Sequence, residues 1–191
     1  IHWHRTAGFF PSRQDYERMI RLKTGALAAL AAYTGMRAAG KEHEESNVFA
    51  SLFAGVGIGF QILDDVKNIS TGNAGKKRGD DIVEGKKSLP VLLHIESHPE
   101  DKARIAGYFA EAQRDGIDSP AVEACISLIE QSGAVERAFE KGKTLVREKS
   151  AELAALYGAS SEAETPQLII DLFASMIKKQ EADYVREKMH A

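Results

Sequence analysis

The sequence predicts an all-α fold, and three observations lead to that prediction. The 191 residues are 43% hydrophobic but only 7% aromatic, and Ala, Leu, Glu and Lys are abundant, which is the composition of good helix formers. No segment shows the strict polar–apolar alternation of a half-buried strand. Long segments instead repeat their apolar residues three and four positions apart. A chain of this length can bury one sizeable core, so we expect a single helical domain over residues 1–191.

The first long helix is expected from about Arg13 to Gly40. Ser12 and Asp15 have the three-residue spacing of a capping pair, in which each side chain accepts a backbone N–H of the other residue. Gly25 or Gly35 could bend this helix.

A second long helix is expected from about Glu45 to Ile69, and a glycine-rich loop between Ser70 and Gly79 follows it. Ser88-Leu89-Pro90 predicts another helix start, because serine caps helices and proline suits their first turn. Later helices are expected at about 100–114, Ser119–Gln131, Ala134–Tyr157 and Pro166–Lys188.

Charge and cysteine content restrict the class of protein. The net charge of −3 is spread along the chain and argues against nucleic acid as a partner. The single cysteine, Cys125, excludes an internal disulfide and fits a reducing compartment. No apolar run approaches the length needed to span a bilayer, and no signal-peptide pattern opens the chain. We therefore expect a cytoplasmic protein.

The second helix carries a concentration of polar side chains. At 100° per residue, Gln61, Asp64, Asp65 and Asn68 share a sector roughly 100° wide. Neighbouring carboxylates repel each other, so a cation is expected to offset them, and Mg²⁺ suits a site with few carboxylates. The alternative is a solvated acidic helix face, which is the more common meaning of an isolated Asp-Asp pair.

The following segment is rich in lysine and glycine. Gly75-Lys76-Lys77-Arg78-Gly79 precedes Asp80-Asp81, and Glu84-Gly85-Lys86-Lys87 leads into the Ser88 helix start. Glycines let a loop close on a ligand, lysines neutralise phosphate, and a helix N-terminus adds N–H donors. An Mg²⁺-binding helix beside such a loop predicts a diphosphate site, to which Lys23-Thr24 could add a cation and a hydroxyl.

At these residues the chain resembles the trans-isoprenyl diphosphate synthases of the polyprenyl synthetase family. Phe60, Gln61, Asp64 and Asp65 match the second aspartate-rich motif of that family. The other matching segments follow in the same order along the whole chain: Tyr16, Lys23-Thr24, Gly75-Lys76, Gly79-x-Asp81, Glu84-Gly85-Lys86, Leu89-Pro90 and Ser132-Gly133-Ala134.

The resemblance implies a helical bundle around a central cavity and a prenyltransferase reaction. In that reaction isopentenyl diphosphate attacks the cation formed from an allylic diphosphate (dimethylallyl, geranyl or farnesyl), and a longer trans-polyprenyl diphosphate results. It further implies three Mg²⁺ ions, with Mn²⁺ as a possible substitute, and a homodimer by analogy.

The resemblance also implies roles for individual residues. Asp64 would coordinate Mg²⁺ directly with Asp65 in support, and Asn68 and Asp81 would complete the metal-facing set. The residues expected at the substrate, as diphosphate-binding lysines or as groups facing the reacting carbons, are Lys23, Thr24, Phe60, Gln61, Lys76 and Lys86.

Two departures from the family pattern stand out. Asn68 replaces the third acid of the motif, and the first aspartate-rich motif would lie before Ile1, so we expect the N-terminal helices of the family fold to lie outside these residues. We therefore expect the 191 residues alone to be inactive. A regulatory subunit of a heteromeric synthase, a terpene cyclase of the same fold and a purely structural helical module stay open as alternatives.

Overall fold

The computed structural model describes residues 6–72, 77–157 and 164–188, and within these ranges every regular element is a helix. The all-α prediction is therefore confirmed. The α-helices are α1 (Arg13–Ile20), α2 (Ala26–Ala38), α3 (His43–Ser70), α4 (Asp80–Val83), α5 (Leu89–Ser97), α6 (Lys102–Asp115), α7 (Pro120–Gln131), α8 (Ala134–Tyr157) and α9 (Glu164–Lys188).

The first predicted helix begins where expected but is not continuous. The Ser12 hydroxyl accepts the backbone N–H of Asp15 at 3.1 Å, and the Asp15 carboxylate accepts that of Ser12 at 3.3 Å, so the capping pair forms. Between α1 and α2 the chain makes a π-helical turn, Arg21–Gly25. The irregularity thus ends at Gly25, one of the two glycines at which a bend was expected.

Helix α3 is longer and more apolar than the sequence led us to expect. Its length and composition would allow it to cross a bilayer, with a mean hydropathy of 1.5 over its most apolar window. This corrects the expectation that no apolar run approaches that length. However, 56% of that window is buried inside the protein, and the core helix of a water-soluble protein passes the same test. Length and composition alone therefore do not make α3 a membrane span.

The chain divides into two compact units, each described here by itself. Unit 1 comprises Ile1–Glu17, Ile62–Glu140 and Arg186–Ala191, and unit 2 comprises Arg18–Gln61 and Lys141–Val185. The buried apolar side chains of unit 1 come from the C-terminal part of α3 and from α4 to α8; the largest that are almost fully buried are Ile62, Leu63, Ile69, Ile82, Leu89, Ile105, Phe109, Ile126 and Ile129. The predicted burial of Cys125 is confirmed there.

Unit 2 has its own core where α3 contacts α8 and α9. A Cβ atom on Gly59 would lie 2.5 Å from Val146 Cγ2 and 3.0 Å from the Gly142 carbonyl oxygen, so only glycine permits this approach. The core residues of this cluster are Leu52, Val56, Val146, Leu153, Phe173 and Ile177, with Phe49, Phe53 and Phe60 packed against them.

The start of α5 differs from the prediction in how it is capped. Ser88 is extended, as a capping residue should be, but its side chain makes no capping hydrogen bond. The backbone N–H of Leu89 instead donates to Asp65 Oδ2 on α3, at 3.2 Å. A carboxylate from another helix therefore satisfies a donor that would otherwise be unpaired at this helix terminus.

Candidate functional site

The two adjacent carboxylates of α3 have different environments in unit 1. Asp64 is exposed, whereas Asp65 is 7% exposed. Asp65 Oδ2 accepts the Tyr16 hydroxyl at 2.7 Å as well as the Leu89 N–H. Successive helical residues point about 100° apart, so one carboxylate can face solvent while its neighbour joins α3 to α1 and α5.

Tyr16 is a partner of Asp65 that the sequence did not reveal, because it stood out there only as a segment that matches the family. The side chain is 1% exposed. Burial raises the pKa of Tyr16 well above its ordinary value, and the nearby Asp65 charge raises it further. The phenol therefore stays protonated and serves as a fixed donor to the carboxylate.

A second polar connection joins α3 to the Gly79–Lys86 turn, which contains the four-residue helix α4. The Asn68 carbonyl oxygen accepts the Gly79 N–H at 2.8 Å, and Asn68 Oδ1 accepts the Asp81 N–H at 3.1 Å. Gly79 has φ +85°, and a Cβ atom there would clash with the Val122 side chain. This position therefore needs glycine both for its backbone conformation and for space.

Lys86 lies at the other end of this turn and is held by two carboxylates. Its Nζ donates to Asp81 Oδ1 at 2.8 Å and to Glu84 Oε2 at 2.7 Å. Burial by itself would lower the pKa of Lys86, but the hydrogen bonds to Asp81 and Glu84 outweigh it and raise the pKa. The ammonium is thus charged and oriented, and about a third of the side chain is exposed. Asp81 thus holds a lysine, and its predicted place in the metal-facing set stays a prediction.

Lys87 has the opposite environment, which the sequence did not indicate. It is 1% exposed, its Nζ donates to the Gly85 carbonyl oxygen at 2.8 Å, and it lies 4.1 Å from the centre of the Phe109 ring. Burial lowers the pKa of Lys87 to about 8. This lysine belongs to the interior of unit 1 and is not available to a ligand at the surface.

Four of the predicted substrate residues lie in unit 2, and three of them form a small group there. The Thr24 hydroxyl donates to Gln61 Oε1 at 2.7 Å, which joins the π-helical turn to α3. Lys23 lies in the same turn and is exposed. The amide of Gln61 is thereby oriented by a hydroxyl that the sequence also singled out.

The ring of Phe60 has a packing role in unit 2. Its centre is 6.1 Å from that of Phe173, in a tilted arrangement, and the side chain is half-buried beside the core cluster. Packing is thus its observed role, and a contact with a carbocation stays a prediction.

Comparison with known proteins identifies the family. The model of the polyprenyl synthetase family matches residues 2–128, which is more than half of the chain. The chain belongs to the polyprenyl synthetase family. A geranylgeranyl pyrophosphate synthase of Epichloe festucae is 31% identical over 176 residues, covering 91% of this chain and 50% of that protein. The chain spans about half the length of the curated relatives it matches.

Solved structures of polyprenyl synthetases agree with the fold. The crystal structure of a geranylgeranyl pyrophosphate synthase superposes with a TM-score of 0.77 at 23% identity, covering 88% of this chain and 52% of that one. A polyprenyl synthase from Caulobacter crescentus, complexed with calcium and isoprenyl diphosphate, gives a TM-score of 0.68 at 28% identity. The match covers 86% of this chain and 50% of that one. The helical arrangement is therefore that of isoprenyl diphosphate synthases.

The structure describes only part of the glycine-rich loop that precedes α4. Gly75 and Lys76 lie outside the described residues, so the assignment of Lys76 to the diphosphate stays a prediction. Lys77 is exposed and donates to Asp118 at 2.8 Å, while Arg78 donates to Glu130 at 3.1 Å. Both are therefore engaged with carboxylates of unit 1.

The described residues meet the metal requirement of a polyprenyl synthetase only in part. Within residues 6–72, 77–157 and 164–188, no group of three or more His, Cys, Asp and Glu side chains is placed to hold an ion. Mg²⁺ needs only one or two protein carboxylates when phosphate oxygens complete its octahedron. Asp64, exposed on α3, fits that smaller demand, whereas Oδ2 of Asp65 already accepts two hydrogen bonds.

Proposed function

We propose that this chain forms part of a trans-prenyltransferase that condenses an allylic diphosphate with isopentenyl diphosphate in a Mg²⁺-dependent reaction. The observation that carries the proposal is the oriented ammonium of Lys86. It is fixed by Asp81 and Glu84 on a turn that hydrogen bonds to the aspartate-rich helix α3. An oriented ammonium can donate to a diphosphate oxygen, and the exposed carboxylate of Asp64 on α3 is the kind of ligand that Mg²⁺ takes.

The reaction needs stabilisation of a departing diphosphate. The allylic C–O bond breaks with its electron pair on the diphosphate, the double bond of isopentenyl diphosphate attacks the allylic cation, and a proton is then lost. In the proposal, Lys86 neutralises the charge that develops on the leaving oxygens. Asp64 would hold Mg²⁺, which supplies Lewis-acid stabilisation of the same group. Lys23, Thr24 and Gln61 of unit 2 keep the substrate roles predicted from the resemblance.

Relatives named geranylgeranyl pyrophosphate synthase support this reaction class. The proposal does not extend to the natural allylic primer or the product length of those relatives. A cytoplasmic homodimer is part of the proposal, by analogy with the family. Because the curated relatives are about twice as long as the matched segment, the activity is proposed for the whole protein to which these residues contribute and not for the 191 residues alone.

The test combines binding and turnover. Calorimetric titration of the chain with pyrophosphate should show Mg²⁺-dependent binding that Asp64→Ala abolishes. An assay of the protein with a C10 or C15 allylic diphosphate should give longer products only when isopentenyl diphosphate is present. In that assay Asp64→Ala should reduce turnover far more than Asn68→Ala.

Each alternative has its own outcome in these experiments. Products formed without isopentenyl diphosphate would indicate a terpene cyclase, and activity only in the presence of a second synthase chain would indicate a regulatory subunit. No Mg²⁺-dependent binding of pyrophosphate would favour a structural helical module.

A further inference from the structure

Asn68 occupies the position of the third acid in the aspartate-rich motif, but its surroundings are those of a structural residue. The side chain is 1% exposed. Its Oδ1 accepts the Asp81 N–H at 3.1 Å, and its backbone carbonyl oxygen accepts the Gly79 N–H at 2.8 Å. One residue of α3 thus receives two backbone donors from the turn that carries Lys86.

The chemistry of the amide argues against metal coordination. Only the oxygen of an Asn side chain can bind a metal ion, since the NH₂ group is a donor. The orientation of this amide follows from its partner, because a backbone N–H requires the oxygen and not the nitrogen. Asn68 Nδ2 has no hydrogen-bond partner among the described residues. The one atom suited to Mg²⁺ therefore already accepts a hydrogen bond and belongs to a buried side chain.

The hydrogen bond also has a structural purpose. Helix α4 is four residues long, and the first N–H groups of any helix have no partner within it. Asn68 supplies the acceptor for Asp81, and the carboxylate of Asp81 in turn holds the Lys86 ammonium at 2.8 Å. The position of Lys86 is thereby connected to α3 through two consecutive hydrogen bonds.

We propose that Asn68 is a positioning residue: its amide oxygen fixes the backbone of the Asp81–Lys86 turn, and so places Lys86, without binding metal. The role of Lys86 toward a diphosphate rests on the proposed function, but the positioning of the turn does not. The residue thereby differs in kind from Asp64, which is exposed on the same helix.

Three variants separate positioning from ligation. Asn68→Leu keeps the approximate shape of the side chain and removes the acceptor. Asn68→Asp keeps the acceptor and serves as the rescue. Asn47→Leu makes the same chemical change at an exposed position of α3, where the Asn47 amide contacts His43 at 3.0 Å, and is the matched control.

Hydrogen exchange of the Asp81 amide gives the first readout on the full chain. In Asn68→Leu this amide should exchange about fivefold to tenfold faster, the loss expected for one hydrogen bond. Asn68→Asp should stay within about threefold of the unmodified chain, and Asn47→Leu should leave Asp81 unchanged. Unaltered exchange of Asp81 in Asn68→Leu would overturn the proposal. Faster exchange of all core amides in that variant would do so too, because it would indicate global destabilisation.

Pyrophosphate titrated at a series of Mg²⁺ concentrations gives the second readout. Asn68→Leu should weaken pyrophosphate binding about threefold to tenfold, the worth of one hydrogen bond, without changing the Mg²⁺ concentration at half-saturation. A raised Mg²⁺ requirement in Asn68→Leu, restored in Asn68→Asp, would show a metal ligand and refute the inference. If the unmodified chain binds no pyrophosphate, the proposed function fails, and the exchange series still decides whether Asn68 positions the turn.

Discussion

Two of the pairs of neighbouring like charges in unit 1 are Asp64–Asp65 on α3 and Lys86–Lys87 before α5. In the acidic pair, Asp64 is exposed and Asp65 is buried with hydrogen bonds from α1 and α5. In the basic pair, the hydrogen bonds to Asp81 and Glu84 raise the pKa of Lys86, while burial lowers the pKa of Lys87 to about 8. Each pair thus places one charge toward solvent or a ligand and the other inside the protein.

The comparison shows that adjacent like charges need not form one functional element. On α3 a change of one residue rotates a side chain by about 100°, which is enough to move it from solvent into the core. Lys86 and Lys87 lie between α4 and α5, where the backbone is not helical. Because a buried charge must be paired or hydrogen-bonded, the inner member acquires structural partners. The outer member keeps contact with solvent. Variants of the four residues can test this division.

The largest expected effect is on folding when the inner carboxylate is removed. Asp65→Ala leaves the Tyr16 hydroxyl and the Leu89 N–H without their acceptor, which should lower the free energy of unfolding by about 2–5 kcal/mol. Asp64→Ala, the matched control, should cost less than about 1 kcal/mol. Urea denaturation measures both. Equal losses would contradict the assignment of separate roles to the two carboxylates.

A smaller effect concerns the pH dependence of stability through Lys87. Its folded-state pKa of about 8 lies below the ordinary value of 10.5, so between these pH values the unfolded chain binds more protons than the folded one. Stability relative to Lys87→Met should therefore rise by about 1–3 kcal/mol from pH 8 to pH 10.5. Below pH 8 the difference should be constant.

Urea denaturation at each pH gives this difference, and Lys86→Met is the control. Lys86 has a raised pKa, so its contribution to stability should persist through the same range and fall only at higher pH. A difference between the unmodified chain and Lys87→Met that stays constant between pH 8 and pH 10.5 would show that Lys87 is not buried as a charged group.

The smallest effect separates the two lysines by binding. Lys86→Met should weaken Mg²⁺-dependent binding of pyrophosphate about tenfold, roughly 1.4 kcal/mol, since it removes one oriented charge. Lys87→Met should change the affinity less than about twofold, because the ammonium is enclosed by Phe109 and the Gly85 carbonyl oxygen. The opposite ranking of the two variants would place the diphosphate at the inner lysine.

The helices could be predicted from the sequence because local chemistry determines them. The Ser12–Asp15 capping pair forms as its spacing predicts, and the order of the motif segments identified the family. The helix at Ala134–Tyr157 was predicted at both ends. In such cases the residues that decide the structure lie within one turn of each other.

The arrangement of the candidate site could be predicted only in part. Tyr16 and Asp65 are 49 residues apart, and Asp65 and Leu89 are 24 apart, so no local pattern pairs them. The burial of Lys87 likewise depends on Phe109, which lies 22 residues further along the chain on α6. Sequence spacing gives the direction of a side chain on its own helix, but it does not give what that side chain meets.

The π-helical turn Arg21–Gly25 has a consequence for sequence length in unit 2. A π turn holds one residue more than an α turn, so it can be regarded as a single-residue insertion accommodated within a helix. Deletion of one residue here would restore regular α geometry and rotate Ile20 by about 100° relative to α2. Ile20, now 1% exposed, would leave its buried position, while Thr24 would lose its register with Gln61. Homologous chains that are one residue shorter in this turn should therefore carry compensating changes at the positions of Ile20 and Thr24.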